Sequence, residues 1–174
     1  MYQENKKIGL QSEREKEREF DDEVIEVARI ARTVKGGRRI RFRAAVVLGD
    51  RRGRVGIGVD KANEVMIAVN KAKAKARRSL STIPIIDETI PFAIDYKYRG
   101  AKVRLMPASE GTGVIAGGSV RSVIELSGIK NLLSKIMGSK SKINNIKATY
   151  LALKKLGLLY EMKKDKINKN DKLK

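Results

Sequence analysis

Apolar and polar residues alternate between residues 40 and 59 as they do in a β-sheet that is buried on one face. The preceding stretch, Val24 to Val34, is rich in β-branched residues and leads into a turn at residues 35–38. The predicted apolar face comprises Ile40, Phe42, Ala44, Val46 and Leu48, then Val55, Ile57 and Val59, and the other face comprises Arg39, Arg41 and Arg43, then Arg54, Gly56 and Gly58. The pattern predicts three antiparallel strands with one core face and one basic face.

The spacing of apolar residues becomes helical after Asn63. Val65, Val69, Ala72 and Ala76 recur on one side, which predicts a helix from about Glu64 to Ser79, with Asp60 or Asn63 as its cap. Its apolar stripe consists mostly of small residues, so the helix can lie close against a sheet. This β-β-β-α unit is expected to end near Leu80.

A second α+β unit is predicted from the remaining pattern. We interpret residues 84–91, between two prolines, as its first strand and a connection. Further strands are expected at 93–98 and 102–108, and helices at 119–127 and 143–156, while the apolar period of 129–137 is more helical than stranded. The predicted organisation is a charged extension (1–21), a first domain (22–80), a second domain (81–160) and a flexible Lys-rich tail (161–174).

Composition changes this picture by specifying the kind of partner. The 174 residues include 39 Lys and Arg against 20 Asp and Glu, which gives a formal net charge of +19. Such a charge favours binding to a polyanion. No apolar run approaches the roughly 20 residues that span a bilayer, so only a peripheral membrane role would remain. The first 22 residues lack a signal-peptide pattern, and the cytoplasm is the expected location.

The absence of Cys and His removes the usual residues of enzyme mechanisms and metal sites. Disulfides, thiolate nucleophiles, imidazole bases and common zinc sites are excluded. We therefore expect no catalytic residues, no metal, no cofactor and no small-molecule substrate.

Candidate RNA contacts cluster on the first unit. Glycines at the 35–38 turn let the backbone approach phosphates closely, and the neighbouring cations displace counterions. The candidate RNA-binding residues are Lys35, Gly36, Gly37, Arg38, Arg39, Arg41, Arg43, Arg52, Arg54 and Gly56. An ordinary solvated hairpin is the alternative for the turn, and close packing is the alternative for Gly56. Aromatic residues are only 5% of the chain, which favours structured RNA over single strands.

A glycine-rich stretch at 111–119 precedes the predicted helix of the second unit. Glycine amides at a helix start can bind phosphate, but the Lys-Ser/Thr ending of a P-loop is absent. A rigid loop for close contact with RNA or a protein neighbour is the favoured interpretation.

Several stretches of the sequence, from both predicted domains, resemble the family of small-subunit ribosomal protein five. The resemblance is carried by residues 32–38, 47–50, 53–58, 75–78 and 107–118, in the family's order and spacing, and it covers most of 25–156. It implies a first domain like the double-stranded-RNA-binding fold without its first helix, and a second domain of the split β-α-β type. It also implies a strand at Ile129 to Met137, against the helical period.

The resemblance further implies a structural role in the small ribosomal subunit that includes subunit assembly and translational accuracy. The loop matching Lys35 to Arg38 would reach small-subunit rRNA beside the spectinomycin site. Glu110, Gly111, Thr112 and Gly113 would face ribosomal protein four, with protein eight as another neighbour. On the residues alone, two alternatives stay open: a free-standing double-stranded-RNA-binding module and a nucleotide-dependent enzyme.

Overall fold

The computed structural model describes residues 20–171, with side chains described as far as residue 164. The prediction for the charged extension (1–21) therefore lies almost wholly outside the described residues. The elements, in chain order, are β1 (Asp21–Val34), β2 (Gly37–Gly49), β3 (Arg54–Ala62), α1 (Val65–Arg78), β4 (Ser81–Thr82), β5 (Ile94–Tyr98), β6 (Ala101–Pro107), β7 (Val114–Ile115), α2 (Gly118–Ser127), β8 (Leu132–Gly138) and α3 (Lys142–Asp171). The α+β class is confirmed.

The first sheet has the strand order β1-β2-β3-β4, with every neighbouring pair antiparallel. Helix α1 covers one face through Ala68, Ala72 and Ala76, which are fully buried. These small residues bring the helix backbone close to the sheet. This unit confirms the predicted three strands followed by a helix.

The other face of this sheet is buried as well, which the sequence pattern did not reveal. Register places Ile57 opposite Val47 and Gly58 opposite Val46. Residues paired across a sheet share a face, so Val55, Ile57 and Val59 lie on the face opposite Val46 and Leu48. The prediction that they continue the same apolar face is wrong. From about Ala44 to Leu48 in β2, where the side chains are buried, both faces are apolar because helices cover the sheet from both sides.

The second sheet has the order β5-β6-β8-β7, in which only β7 and β8 are parallel. Helix α2 forms the crossover between these two strands, as parallel strands require. The strand expected within 129–137 is present as β8, and the period count that favoured a helix is wrong. No strand of this sheet forms between Pro84 and Pro91, where only an Ile86–Thr89 bridge occurs, so that prediction is also wrong.

One hydrophobic core joins the two units. Val47 and Val55 of the first sheet belong to the same buried cluster as Leu105, Ile124 and Leu153 of the second unit. The association is therefore of the kind that forms a domain core rather than a loose contact between two bodies.

Backbone hydrogen bonds reinforce this association at the turn between β2 and β3. The amides of Arg51 and Gly53 donate to the carbonyls of Leu126 (3.0 Å) and Ser127 (2.8 Å), at the end of α2. The last carbonyls of a helix lack partners within it, so the turn satisfies two of them.

Helix α3 extends much further than predicted. It continues to Asp171, so the expectation of a flexible tail from Glu161 is wrong for residues 161–171. After Gly157 the sequence lacks Gly and Pro, and Lys and Leu, which are good helix formers, make up nine of its 17 residues.

Candidate nucleic-acid interface

The β1–β2 hairpin projects beyond the body of the first sheet as an arm, defined here as residues 27–43. Strand β3 pairs with β2 only from Phe42 inward, so the outer part of the arm is a two-stranded ribbon. Residues 31–41 are all exposed. The arm contains seven Lys and Arg residues and no acid.

Register distributes these cations over both faces of the ribbon. Arg32 lies opposite Arg39, and Arg41 and Arg43 follow on the same face. Lys61 joins this group because it pairs with Arg43. The other face carries Arg29 and Arg38, separated by the exposed Ile40. The predicted grouping of Arg39, Arg41 and Arg43 on one side agrees with this register, whereas Arg38 lies on the other.

Acidic residues at the beginning of β1 pair with two cations of the body and with Arg43 at the base of the arm, but leave the rest of the arm charged. Asp21 pairs with Arg51 at 2.8 Å, Asp22 with Lys73 at 2.9 Å, and Glu26 with Arg43 at 3.7 Å. Within the described part of the chain, the remaining six arm cations, Arg29, Arg32, Lys35, Arg38, Arg39 and Arg41, make no ion pair. Exposed and unpaired, they keep their full attraction for phosphate.

No other described part of the chain lies against the glycines at the tip of the arm. A Cβ atom added at Gly36 or Gly37 would meet nothing within 4 Å. Only Gly37 has a positive φ, 140°, a conformation that favours glycine. Lys35 and Arg38 flank these glycines, so a phosphate backbone can approach the main chain between two cations.

Arg52 and Arg54 do not belong to this cluster. They lie beyond the opposite end of β2, whose 13 residues span about 40 Å at the usual strand rise. Arg52 is exposed, but the Arg54 guanidinium donates to Asp50 at 2.6 Å. The two residues can contact RNA only at a second location.

Gly56 was predicted as an RNA contact, and this prediction is wrong. The residue is buried, and a Cβ atom there would lie 2.3 Å from the Ala76 carbonyl oxygen of α1. Gly58 is equivalent, at 1.9 Å from the Ala72 carbonyl oxygen. Both glycines let the helix backbone lie directly on the sheet, which was the alternative interpretation.

Asp50 shapes the turn that carries Arg52 and Arg54. Its carboxylate accepts hydrogen bonds from the amides of Arg52 (2.8 Å) and Arg54 (2.9 Å) and from the Arg54 side chain. Burial opposes ionisation, but these hydrogen bonds together outweigh it and hold the pKa of Asp50 below its ordinary value.

The glycine loop of the second unit, residues 109–113, forms a separate exposed site. Gly111 and Gly113 have φ values of 83° and 74°, and each has open space around it. The Asn131 side chain accepts a hydrogen bond from the Gly113 amide at 3.0 Å, and Leu132 donates to the Gly113 carbonyl at 3.0 Å. The loop therefore presents Glu110 to Thr112 from a fixed base.

Sequence reasoning missed several contributors to these two sites. Arg29 and Arg32 belong to the arm, and alternation along β1 together with the hairpin turn contained enough information to find them. Lys61 and Asn131 join their sites only through the pairing of β3 with β2 and the packing under the glycine loop, for which the sequence offers no local signal.

Other chemistries find little support in the described residues. No group of three or more acidic side chains in that part of the chain is placed to hold a metal ion. Among the described helices, none combines the length and apolar character needed to cross a membrane.

Comparison with known proteins identifies both units. The family model described as ribosomal protein S5, N-terminal domain, matches residues 20–84, and that of the C-terminal domain matches residues 96–166. Small ribosomal subunit protein uS5 of Rubrobacter xylanophilus is 47% identical over 144 residues, which are 83% of this chain and 72% of the relative. The uS5 of Chloroflexus aurantiacus is 46% identical and covered to 81%. The chain also matches uS5c of Spinacia oleracea at 44% identity but spans only 52% of that relative's length.

Proposed function

From the premise that this chain belongs to the ribosomal protein S5 family and is a structural constituent of the small ribosomal subunit, not an enzyme, we propose that it holds rRNA chiefly through the arm. The supporting observation is the set of six cations without an ion pair in the described part of the chain, on an acid-free, two-sided ribbon. A ribbon of this shape suits contact with RNA backbones by shape and charge more than reading of base sequence. Through this contact the protein supports subunit assembly.

The tip of the arm, Lys35 to Arg38, is proposed to lie beside the rRNA that forms the spectinomycin site. Support comes from the openness of Gly36 and Gly37 and from the family resemblance of residues 32–38. The proposed contact residues are therefore Lys35 to Arg39, Arg41 and Arg43, with Arg52 and Arg54 at a second location.

The glycine loop is proposed to face ribosomal protein four and to influence translational accuracy. Its exposed tip, Glu110 to Thr112, stands on a hydrogen-bonded base, which suits a fixed protein contact. Protein eight is proposed as a second protein neighbour. Crosslinking from Thr112 in assembled subunits tests the first assignment.

The location of the protein is the small subunit, and we propose the cytoplasm as the compartment. The existence of a uS5c relative means that family membership alone does not fix the compartment. Imaging or fractionation of the native protein in its source cells tests this proposal.

Of the two alternatives, a free-standing double-stranded-RNA-binding module conflicts with the core shared by both units. A nucleotide-dependent enzyme conflicts with family membership.

Salt titration of RNA binding tests the role of the arm. Binding to protein-free small-subunit rRNA should weaken steeply with salt. For each phosphate contact, the logarithm of the binding constant should fall by roughly 0.7 to 0.9 when the salt concentration rises tenfold. Arg39→Gln should lower this slope by about one unit or less. Arg104→Gln is the matched control, because Arg104 is already paired with Asp95 at 2.7 Å on the second sheet. Equal slopes for wild type and Arg39→Gln would contradict the proposed arm contact.

A further inference from the structure

The first turn of helix α1 exposes three consecutive large apolar side chains. Val65 is 37% exposed, Met66 70% and Ile67 44%. Single exposed apolar residues are common on proteins, but a contiguous group marks an interaction surface. Neither the arm nor the glycine loop includes these residues.

The apolar group continues onto the arm. Phe42 packs against the cluster that contains Ala62 and Ala68, close to the start of α1. Ile40 lies two residues further out on the same face of β2 and is 41% exposed. We name Ile40, Val65, Met66 and Ile67 the apolar strip.

Cations border the strip on the side of β3. Arg41, Lys61 and Lys71 line one shallow concavity together with Ile67 and Asn63. Within the described chain, Arg41, Lys61 and Lys71 make no ion pair. We call these three cations the rim of the strip. Arg41 belongs to the arm as well, so the rim is continuous with the other cations of the arm.

We propose that the apolar strip docks onto the shallow minor groove of an rRNA helix, an inference that rests on the proposed rRNA binding of the arm. The wide, shallow minor groove of an A-form helix displays riboses with their 2′-hydroxyls, and base edges, between two rows of phosphates. Apolar side chains fit the ribose carbons, and rim cations fit the phosphates on either side. A protein neighbour is less favoured, because Arg41, Lys61 and Lys71 make no ion pair within the described chain and would need acidic partners from that neighbour, whereas phosphates supply negative charge along the whole groove.

Met66→Gln tests the proposal, since Gln has nearly the same length and helix propensity as Met. Affinity for protein-free small-subunit rRNA should fall about three- to tenfold, the order expected for one apolar contact. The slope with salt should stay unchanged, because no charge is removed. Protection of riboses from hydroxyl-radical cleavage should be lost in one helical segment.

Met162→Gln is the matched control, because Met162 is similarly exposed, at 58%, on helix α3. It should bind within about twofold of wild type, a change too small for a lost contact. If Met66→Gln binds rRNA as wild type does while Arg39→Gln weakens binding, the strip inference is overturned and the arm proposal stands. Unchanged RNA binding with reduced incorporation into subunits would also overturn it, in favour of a protein partner. No effect of either variant would overturn both proposals.

Discussion

Asp50 shows how one side chain supports two parts of the molecule. Its side chain is only 3% exposed and is paired with Arg54. By fixing the turn between β2 and β3, it also holds the amides of Arg51 and Gly53 against the end of α2. Arg51 has a φ of 54°, which costs backbone energy in a non-glycine residue. The carboxylate therefore stabilises a turn that contains a strained backbone position.

Asp50→Asn should lower stability at neutral pH by about 1–3 kcal/mol, because Arg54 loses its charged acceptor. The folded-state pKa of Asp50 lies below the ordinary value of 3.8. Its stabilising contribution is therefore present above that value and is lost as the pH falls through the folded-state pKa. Melting curves of wild type and variant should converge at acid pH.

Asp60→Asn is the control, since among the described residues Asp60 accepts only a local hydrogen bond, from the Lys61 amide. A difference between Asp50→Asn and wild type that stays constant with pH would contradict the role assigned to the Asp50 charge.

At the scale of the element, substitutions at the tip of the arm can change its charge without changing the geometry of its turn. Gly36 has no positive φ, and a Cβ atom there would meet no described atom within 4 Å beyond its chain neighbours, so substitution there acts through the side chain alone. Gly36→Asp should weaken rRNA binding by placing an acid beside phosphates, and Gly36→Ala should be nearly silent. Because the tip is proposed to border the spectinomycin site, cells carrying only Gly36→Asp should also respond differently to that drug.

Growth across a spectinomycin series, with the variant protein verified in purified subunits, provides the measurement. An identical response for the Asp and Ala variants would show that the tip is merely a solvated turn.

The elements also show what the sequence could predict. Alternation at 40–48 and helical spacing at 65–76 identified the first sheet and α1, because each pattern reflects burial against one neighbour. The same reasoning failed for Gly56, whose role is set by the backbone of α1 above it. It failed for β8 as well, because Leu133 and Met137 are partly buried on the second side of that strand. The cations of the arm were recognisable from charge, but their division between two faces required the register.

At the scale of the whole molecule, the shared core makes the first unit dependent on the second. Val47 and Val55 are fully buried only because α2 and α3 lie across that face of the sheet. The fragment 20–84 alone would expose this face to water, at about 25 cal/mol for each Å² of apolar surface.

We therefore expect the full chain to unfold in one cooperative transition, and the fragment 20–84 to melt at lower temperature and to bind a hydrophobic dye. Calorimetry and dye fluorescence on both proteins provide the test. A fragment that melts at the temperature of the full chain, without dye binding, would show that the units are energetically independent.

Burial of the first sheet by helices from the other half of the chain also affects how the protein is made. Strand β2 is complete at Gly49, but the helices that cover its second face are not complete until about Leu156. At usual elongation rates of about 5–20 residues per second, a nascent chain carries this uncovered apolar face for roughly 5 to 20 s. During that time the basic arm and the uncovered apolar face of the first sheet are both exposed beside a translating ribosome. Newly synthesised chains should therefore depend on a chaperone that recognises apolar strands and releases them once α3 has emerged.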